Sequence, residues 1–355
     1  MQTEAPDMRG RPIVQFGIVV PDAELTARRY TELLGVGPWV FLEMPSADFT
    51  FRGSKCSTES CVRVALANFG KFSVELLQPL FGSGTHMEFI RRHGAGVHHL
   101  SFGQIDHHDQ IVSALEARGI GIEMQGTLPD GSIYTYLDTI RDLGTVFEVV
   151  KPPPADTDNL LPIWGLTKRP GSSVMKMEGK KIVQVGIVVR DAEKTAHRYE
   201  ELLGIGPWKF MEAKWPRPRK RSPEGKSTDT GNTSYGGLLG DDPGILHDVP
   251  MIKIEAKIKL AVTEWEGLEL EVIEPQSGPG SHWEFLKVHG PGIHHFSFGV
   301  IADHDDCVAA LRREGCGIEM SALMGKGSRF TYMNTSRDLG TLLEFAYVPP
   351  GVTFD

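Results

Sequence analysis

The chain of 355 residues has only 4 cysteines, no long apolar run and no excess of basic residues. Cys56 and Cys61 lie in a Ser/Thr-rich stretch, and Cys307 and Cys316 flank a helical one. None shows the Cys-x-x-Cys spacing of a zinc or redox site, and four are too few for a disulfide scaffold. They are expected as reduced thiols, in keeping with a cytoplasmic compartment. Apolar runs such as Phe16 to Val20 are far too short to span a bilayer. The opening MQTEAPDMRGRPIVQ lacks the basic-then-apolar layout of a secretory signal, so a cytoplasmic protein without membrane contact is expected. A net charge of −9 argues against a nucleic-acid partner, whose binding surface would be basic. The short basic run Arg217, Arg219, Lys220, Arg221 reads as a solvated loop. With 40% hydrophobic and 23% charged residues the chain is not disordered, and its length suggests two domains.

What is present is one sequence written twice. Residues 11–43 and 180–212 are identical at 23 of 33 positions, from IVQFGIVV and IVQVGIVV through to GPW. Residues 96–124, opening GVHHLSFG, parallel residues 292–320, opening GIHHFSFG. YTYLDTIRDLGTVFEVV likewise parallels FTYMNTSRDLGTLLEFA. Self-similarity over such lengths marks tandem units. The reading is an N-terminal domain over 1–151, a proline-rich linker over 152–178 and a C-terminal domain over 179–355. Between its first helix and its fourth strand the C-terminal copy carries about 27 additional residues, a loop insertion spanning about 214–256. A weaker repeat lies within each copy. A β-branched strand, a turn and an amphipathic helix begin at Gln15 and begin again at His99, and strand-like runs such as SVELLQP and TVFEVV follow. Each copy therefore holds two strand–helix–three-strand modules, and the chain holds four.

This organisation resembles the vicinal oxygen chelate superfamily, the glyoxalase/bleomycin-resistance/dioxygenase fold, over about 11–151 and 180–348. The resemblance implies an α+β fold in which four βαβββ modules form two curved-sheet cups, each around one divalent metal ion. It implies ligands Gln15, Glu75, His99 and Glu148 in the first copy, and Gln184, Glu271, His295 and Glu344 in the second. The residues themselves point the same way. Each lies within an apolar strand, as Glu75 in SVELL and Glu344 in LLEFA, where a carboxylate is costly to bury unless paired or metal-bound. Singly, each is unremarkable on a solvated sheet face; the same set in both copies argues for a shared role. One imidazole with three oxygen donors suits Zn, Mn, Co, Ni or Fe(II) rather than a closed structural zinc site.

Strand alternation predicts that His98 and His294 point away from the ligand face. His107, His108 and His304 are expected at exposed helix starts. His86 and His282 also begin helices, with a pocket role second. Trp39 and Trp208 are expected to pack. Tyr136, Arg141, Tyr332 and Arg337, just before the last ligand strands, are candidate substrate contacts, the alternative for Arg141 being a hairpin pair with Asp142.

The set Gln-Glu-His-Glu resembles zinc-type glyoxalase I, whereas EFIRRHGAGVHHLSF resembles methylmalonyl-CoA epimerase segments. Both imply a metal-dependent lyase, isomerase or epimerase for a small carbonyl substrate. The metal would polarise the carbonyl and stabilise an enolate, with Glu148 or Glu344 as the base. The alternatives are an extradiol-type Fe(II) ring-cleaving dioxygenase and a non-catalytic small-molecule binder of the resistance type. Cups closed within each copy are favoured over cups shared between copies. Purified protein is expected to bind up to two divalent ions per chain, and replacing Glu75 and His99 together to remove about one. Unchanged metal content in that double variant would overturn the first assignment.

Overall fold

A computed structural model describes residues 8–46, 49–56, 59–155, 163–166, 173–215, 233–234 and 256–352. In the first copy the order is β1 (Gln15–Val19), α1 (Ala23–Leu34), β2 (Val40–Ser46), β3 (Phe49–Phe51), β4 (Ser54–Cys56), β5 (Ser60–Phe69), β6 (Phe72–Phe81), α2 (Thr85–His93), β7 (Gly96–Gln104), α3 (His108–Glu116), β8 (Ile122–Thr127), β9 (Ile133–Leu137), α4 (Ile140–Leu143) and β10 (Val146–Lys151). A short strand β11 (Ile163–Leu166) follows. The second copy runs β12 (Gln184–Val188), α5 (Ala192–Leu203), β13 (Lys209–Trp215), β14 (Thr233–Ser234), β15 (Ala256–Trp265), β16 (Leu268–Ser277), α6 (Ser281–His289), β17 (Gly292–Val300), α7 (His304–Arg313), β18 (Gly317–Gly325), β19 (Ser328–Asn334), α8 (Ser336–Leu339) and β20 (Leu342–Tyr347).

The first helix of each copy has the same local causes. Asp22 and Asp191 accept from the backbone N–H groups of Leu25 and Lys194, and the left-handed glycines Gly35 and Gly204 end the helices. Ala23, Ala27, Tyr30 and Leu34 recur at helical spacing and form the buried face of α1.

The strands form two curled mixed sheets, and the fold is α+β. The first is ordered β11-β2-β5-β6-β1-β7-β10-β9-β8-β3-β4 and the second β13-β15-β16-β12-β17-β20-β19-β18-β14. Each sheet is built from one copy alone. Within it, two βαβββ modules meet where β1 runs antiparallel to β7, and β12 to β17. Ile163–Leu166 lie inside the sequence-predicted linker and pair antiparallel with β2, so part of that stretch is an edge strand of the first sheet. Most of the insertion over about 214–256 lies outside the described residues. Its flanks, Trp215 and Ala256, are register partners on the edge pair β13–β15.

The convex backs of the sheets, with their helices, pack on one another. Phe16 on β1 stacks within 4.6 Å of Phe72 and also of Phe296 on β17, and one continuous apolar core runs through both copies. The contacts are reciprocal. The Tyr30 hydroxyl donates to the Leu339 carbonyl at 2.9 Å, and the Tyr199 hydroxyl to the Leu143 carbonyl at 2.8 Å. Arg29 pairs with Asp338 at 3.0 Å and Arg198 with Asp142 at 2.7 Å. Trp39 and Trp208 pack as expected, buried against Tyr30 and Tyr199. All four cysteines are free. Among the described residues no helix is long and apolar enough to cross a membrane.

Because the core is shared, Phe296→Ala should destabilise both copies together, by about 3–5 kcal/mol for a buried ring. Chemical denaturation should give one transition with a lowered midpoint. Two transitions, only one of them shifted, would contradict a common core.

Candidate metal centres

Strand register assembles the site. Across β6, β1, β7 and β10, one row of neighbours is Glu75, Gly17, His99 and Val146. The next row on the same face is Ser73, Gln15, Ser101 and Glu148, two residues along each strand. In the second sheet the rows are Glu271, Gly186, His295, Leu342 and Glu269, Gln184, Ser297, Glu344. The glycines are steric necessities. The His99 ring lies flat over Gly17, and the His295 ring over Gly186, where any Cβ would overlap the ring.

The predicted Glu-His-Glu set thus converges in each cup. His99 Nε2 lies 3.4 Å from Glu75 and 3.8 Å from Glu148; His295 Nε2 lies 3.8 Å from Glu271 and 3.6 Å from Glu344. Both histidines are fully buried, and both Nε2 atoms lack a hydrogen-bond partner. A buried bare nitrogen is costly. Donors about 2 Å from a common ion sit roughly 3 to 4 Å apart, a range that holds each of these histidine–carboxylate spacings. Gln15 stands on the ligand face beside them. Gln184 does too, but its amide donates to Glu269 at 2.6 Å, a carboxylate placed where the first copy has Ser73.

Tyr136 and Tyr332 lie opposite Glu148 and Glu344 in register, and their hydroxyls bond those carboxylates, as do Ser101 and Ser297. Each tyrosine ring packs tilted against the site histidine, with centroids 4.8 Å and 4.7 Å apart. Arg141 and Arg337 are not brought to the cups. Both are exposed on α4 and α8; Arg337 lines a cleft between the copies and pairs with Asp338 at 3.2 Å. The partner of Asp142 is Arg198 of the other copy. These short helices face the neighbouring copy, which is why their arginines miss the concave side.

Two histidine expectations need correction. The pairing of β1 with β7 shifts register between Gly17 and Ile18, from His99 to Val97, which makes His98 the extra residue of a β-bulge. A bulge breaks strict alternation, so His98 Nδ1 lies 3.2 Å from His99 Nδ1 instead of on the far side. His294 and His295 repeat this at 3.0 Å. His108 and His304 are buried, not exposed: their rings reach under the sheet to the hydroxyls of Thr135 and Thr331 at 2.9 Å and 3.1 Å. His107 is exposed. His86 and His282 begin helices as expected, but their rings are buried at the cups. His86, His98 and His99 offer ligand nitrogens within 4.8 Å of one another, as do His282, His294 and His295, so each buried triad could also hold a metal ion. His86 Nε2 is a second bare nitrogen; His282 Nε2 meets the Tyr332 hydroxyl at 3.2 Å. The serines, the glycines and Glu269 were missed in the sequence. For Gly17, Gly186, Ser101 and Ser297 the two-residue spacing from a ligand, repeated in both copies, was the available signal; Glu269 has Ser73 as its counterpart.

The electrostatics differ between cups. Burial raises the pKa of Glu148, and it pushes Glu344 up to about 7. Glu271 is raised well above the carboxylate range by burial and by Glu344 and Glu269. Burial opposes charge on His99, but Glu148 and Glu75 outweigh it and the pKa is raised. His295 is lowered by burial and by His282. The extra carboxylate accounts for the contrast: crowded acids in the second cup hold protons and offer His295 less negative charge.

A cavity of about 110 Å³ opens in the first cup, lined by Glu75, His86, Tyr136, Glu148 and apolar side chains such as Leu77 and Met124. No lysine or arginine lines it among the described residues.

A sequence model of the family described as glyoxalase/bleomycin resistance protein/dioxygenase superfamily matches residues 14–134 and 183–332. No functionally curated protein gives a significant match. Among solved structures, a mutant 4-hydroxymandelate synthase from Streptomyces coelicolor is 15% identical over 97% of this chain and 94% of its own, with a TM-score of 0.56. BphC, a halotolerant catechol dioxygenase, is 13% identical over 98% and 90%, with a TM-score of 0.43. Methylmalonyl-CoA epimerase from Mycobacterium tuberculosis is 19% identical over 43% and 94%, with a TM-score of 0.31.

Glu344 generates a pH prediction for metal-free protein. Its folded pKa lies above its unfolded value near 4.5, so its contribution to stability is complete below about pH 4.5 and is lost as pH rises through about 7. Glu344→Gln should therefore gain on the native chain over that window, by roughly 3 kcal/mol at most. A pH-independent difference between their denaturation midpoints would count against the raised pKa.

Proposed function

Because the chain belongs to the glyoxalase/bleomycin resistance protein/dioxygenase superfamily, we propose that it is a metal-dependent enzyme that moves a proton on a small, largely apolar oxygen-bearing substrate. The observation that carries this reading is the bare imidazole nitrogen facing two carboxylates in both cups, one of them held by a tyrosine and a serine hydroxyl. His99, Glu75, Glu148 and Gln15 would hold a divalent ion in the first cup, and His295, Glu271, Glu344 and Gln184 in the second. The ion would supply Lewis-acid polarisation of a substrate oxygen.

The remaining work falls to the chain's own side chains. Glu148 accepts a proton from the carbon next to the substrate's carbonyl carbon. Tyr136 and Ser101 fix that carboxylate. The apolar side chains of the lining exclude water, and with no lysine or arginine there among the described residues the cavity favours an uncharged substrate body. Return of the proton to another face or another carbon gives epimerase or isomerase chemistry, and loss of a leaving group gives a lyase.

A second reading, an Fe(II) dioxygenase, draws on two observations. The fold likeness to 4-hydroxymandelate synthase runs almost the full length of both chains. The first cup also has two bare imidazole nitrogens, on His86 and His99, beside carboxylates, which approaches a two-histidine, one-carboxylate set. The likeness to 4-hydroxymandelate synthase leans towards this reading, and the doubled carboxylates towards the first.

Metal-loaded protein incubated in D2O with an aryl 2-hydroxy ketone should place deuterium next to the carbonyl, and the paired variant Glu148→Gln with Glu344→Gln should slow exchange about a hundredfold or more. Oxygen uptake by the Fe(II) protein with a catechol or an aromatic 2-oxo acid, without exchange, would select the dioxygenase. Ligand binding with neither reaction and no metal would select the resistance-type binder.

A further inference from the structure

Behind each of the two ligand histidines, His99 and His295, runs a chain of buried hydrogen bonds that no catalytic role above uses. His99 Nδ1 meets His98 Nδ1 at 3.2 Å. His98 Nε2 meets the Thr85 hydroxyl at 2.8 Å, and Thr85 in turn bonds the Glu123 carboxylate. Glu123 ends the chain against Arg52, 3.2 Å away. The second copy repeats the arrangement through His295, His294, Ser281 and Glu319, with steps of 3.0, 2.8 and 3.4 Å, and Asn334 donates to Glu319 at 3.1 Å.

We infer that Thr85 and Glu123, with Ser281 and Glu319, are positioning residues that place the imidazole proton of His99 and His295 on Nδ1 and leave Nε2 bare towards the cup. The inference rests on the metal-site reading above, but its logic is one of donors and acceptors alone. A carboxylate paired with arginine only accepts, so Thr85 must donate to Glu123. The Thr85 oxygen is then the acceptor for His98 Nε2–H. With its proton on Nε2, neutral His98 presents a bare Nδ1, and only a proton on His99 Nδ1 can satisfy that contact. In neutral His99, the form a metal ligand takes, Nε2 is then the lone-pair nitrogen, the atom that faces Glu75 and Glu148 without a partner. Ordering of a ligand's tautomer by its hydrogen-bond partner is a general device of metal sites. The bulge that makes His98 an extra residue is what brings the two imidazoles together. The far end of the chain opens on the cleft between the copies, which Thr85, His98 and Glu123 line.

The test uses full-length protein with Thr85→Val, which removes the hydroxyl at nearly constant shape, and Thr85→Ser, which reproduces the second copy. In chelated, 15N-histidine-labelled protein, NMR should find His99 protonated at Nδ1 in the native chain and in Thr85→Ser, and a mixture of tautomers in Thr85→Val. Zinc titration should show the first site weakened about 10- to 100-fold in Thr85→Val, retained in Thr85→Ser, and the second site unchanged in both. Native tautomer and affinity in Thr85→Val, or equal damage from both substitutions, would overturn the inference. Should no metal bind to any variant, the function proposal fails, while the tautomer measurement in metal-free protein still decides this one.

Discussion

The arrangement turns on one constraint: an imidazole laid flat on the middle of a β-sheet with one nitrogen denied a partner. His99 and His295 can occupy that place only because the neighbouring strand carries a glycine beneath each ring. Once the ring is there, the adjoining rows decide which side chains surround it. The carboxylates arrive from strands on either side, and the tyrosine from one strand further out. Removing a ring from water while leaving its nitrogen bare has a free-energy cost of order 1–3 kcal/mol. A fold that repeats this cost at equivalent positions has a use for the bare atom.

The two cups share that geometry and differ in charge. Exchanging Ser73 for Glu269 puts a third carboxylate on the ligand face of the second copy and draws Gln184 into a hydrogen bond. A cation would be attracted more strongly there, and the crowded acids would give up more protons on receiving it. The copies are therefore related sites with different electrostatic settings rather than duplicates.

Much of this was legible in the sequence. The duplicated IVQxGIVV and HHxSFG segments disclosed four modules, and the family resemblance, supported by lone carboxylates in the apolar strands SVELL and VFEVV, singled out Glu75 and Glu148. What failed did so for identifiable reasons. His98 and His294 were assigned to the far face because alternation assumes an unbroken ladder, and a bulge has no local signature in GVHHLSF. His108 and His304 sit at helix starts, normally exposed, but their threonine partners are 27 residues away in sequence. Arg141 and Arg337 were drawn towards the cups by sequence proximity to the ligand strands, whereas the intervening short helices face the other copy. Such misses depend on tertiary partners, which one-dimensional patterns do not encode.

The reciprocal tyrosine contacts have a further consequence. Tyr30 of the first copy grips the turn just before β20, the strand of Glu344, and Tyr199 grips the turn before β10, the strand of Glu148. Each half thus carries part of the scaffolding of the other half's ligand strand. Such mutual bracing makes the duplication hard to reverse, since a chain that lost one half would leave the surviving cup with an unsupported wall. It also channels divergence: the backs are bound to change in concert, while the mouths are free to change alone. The long insertion of the second copy leaves the sheet from its edge pair β13–β15, and its one described stretch, β14, pairs with β18 at the other edge, away from the shared back.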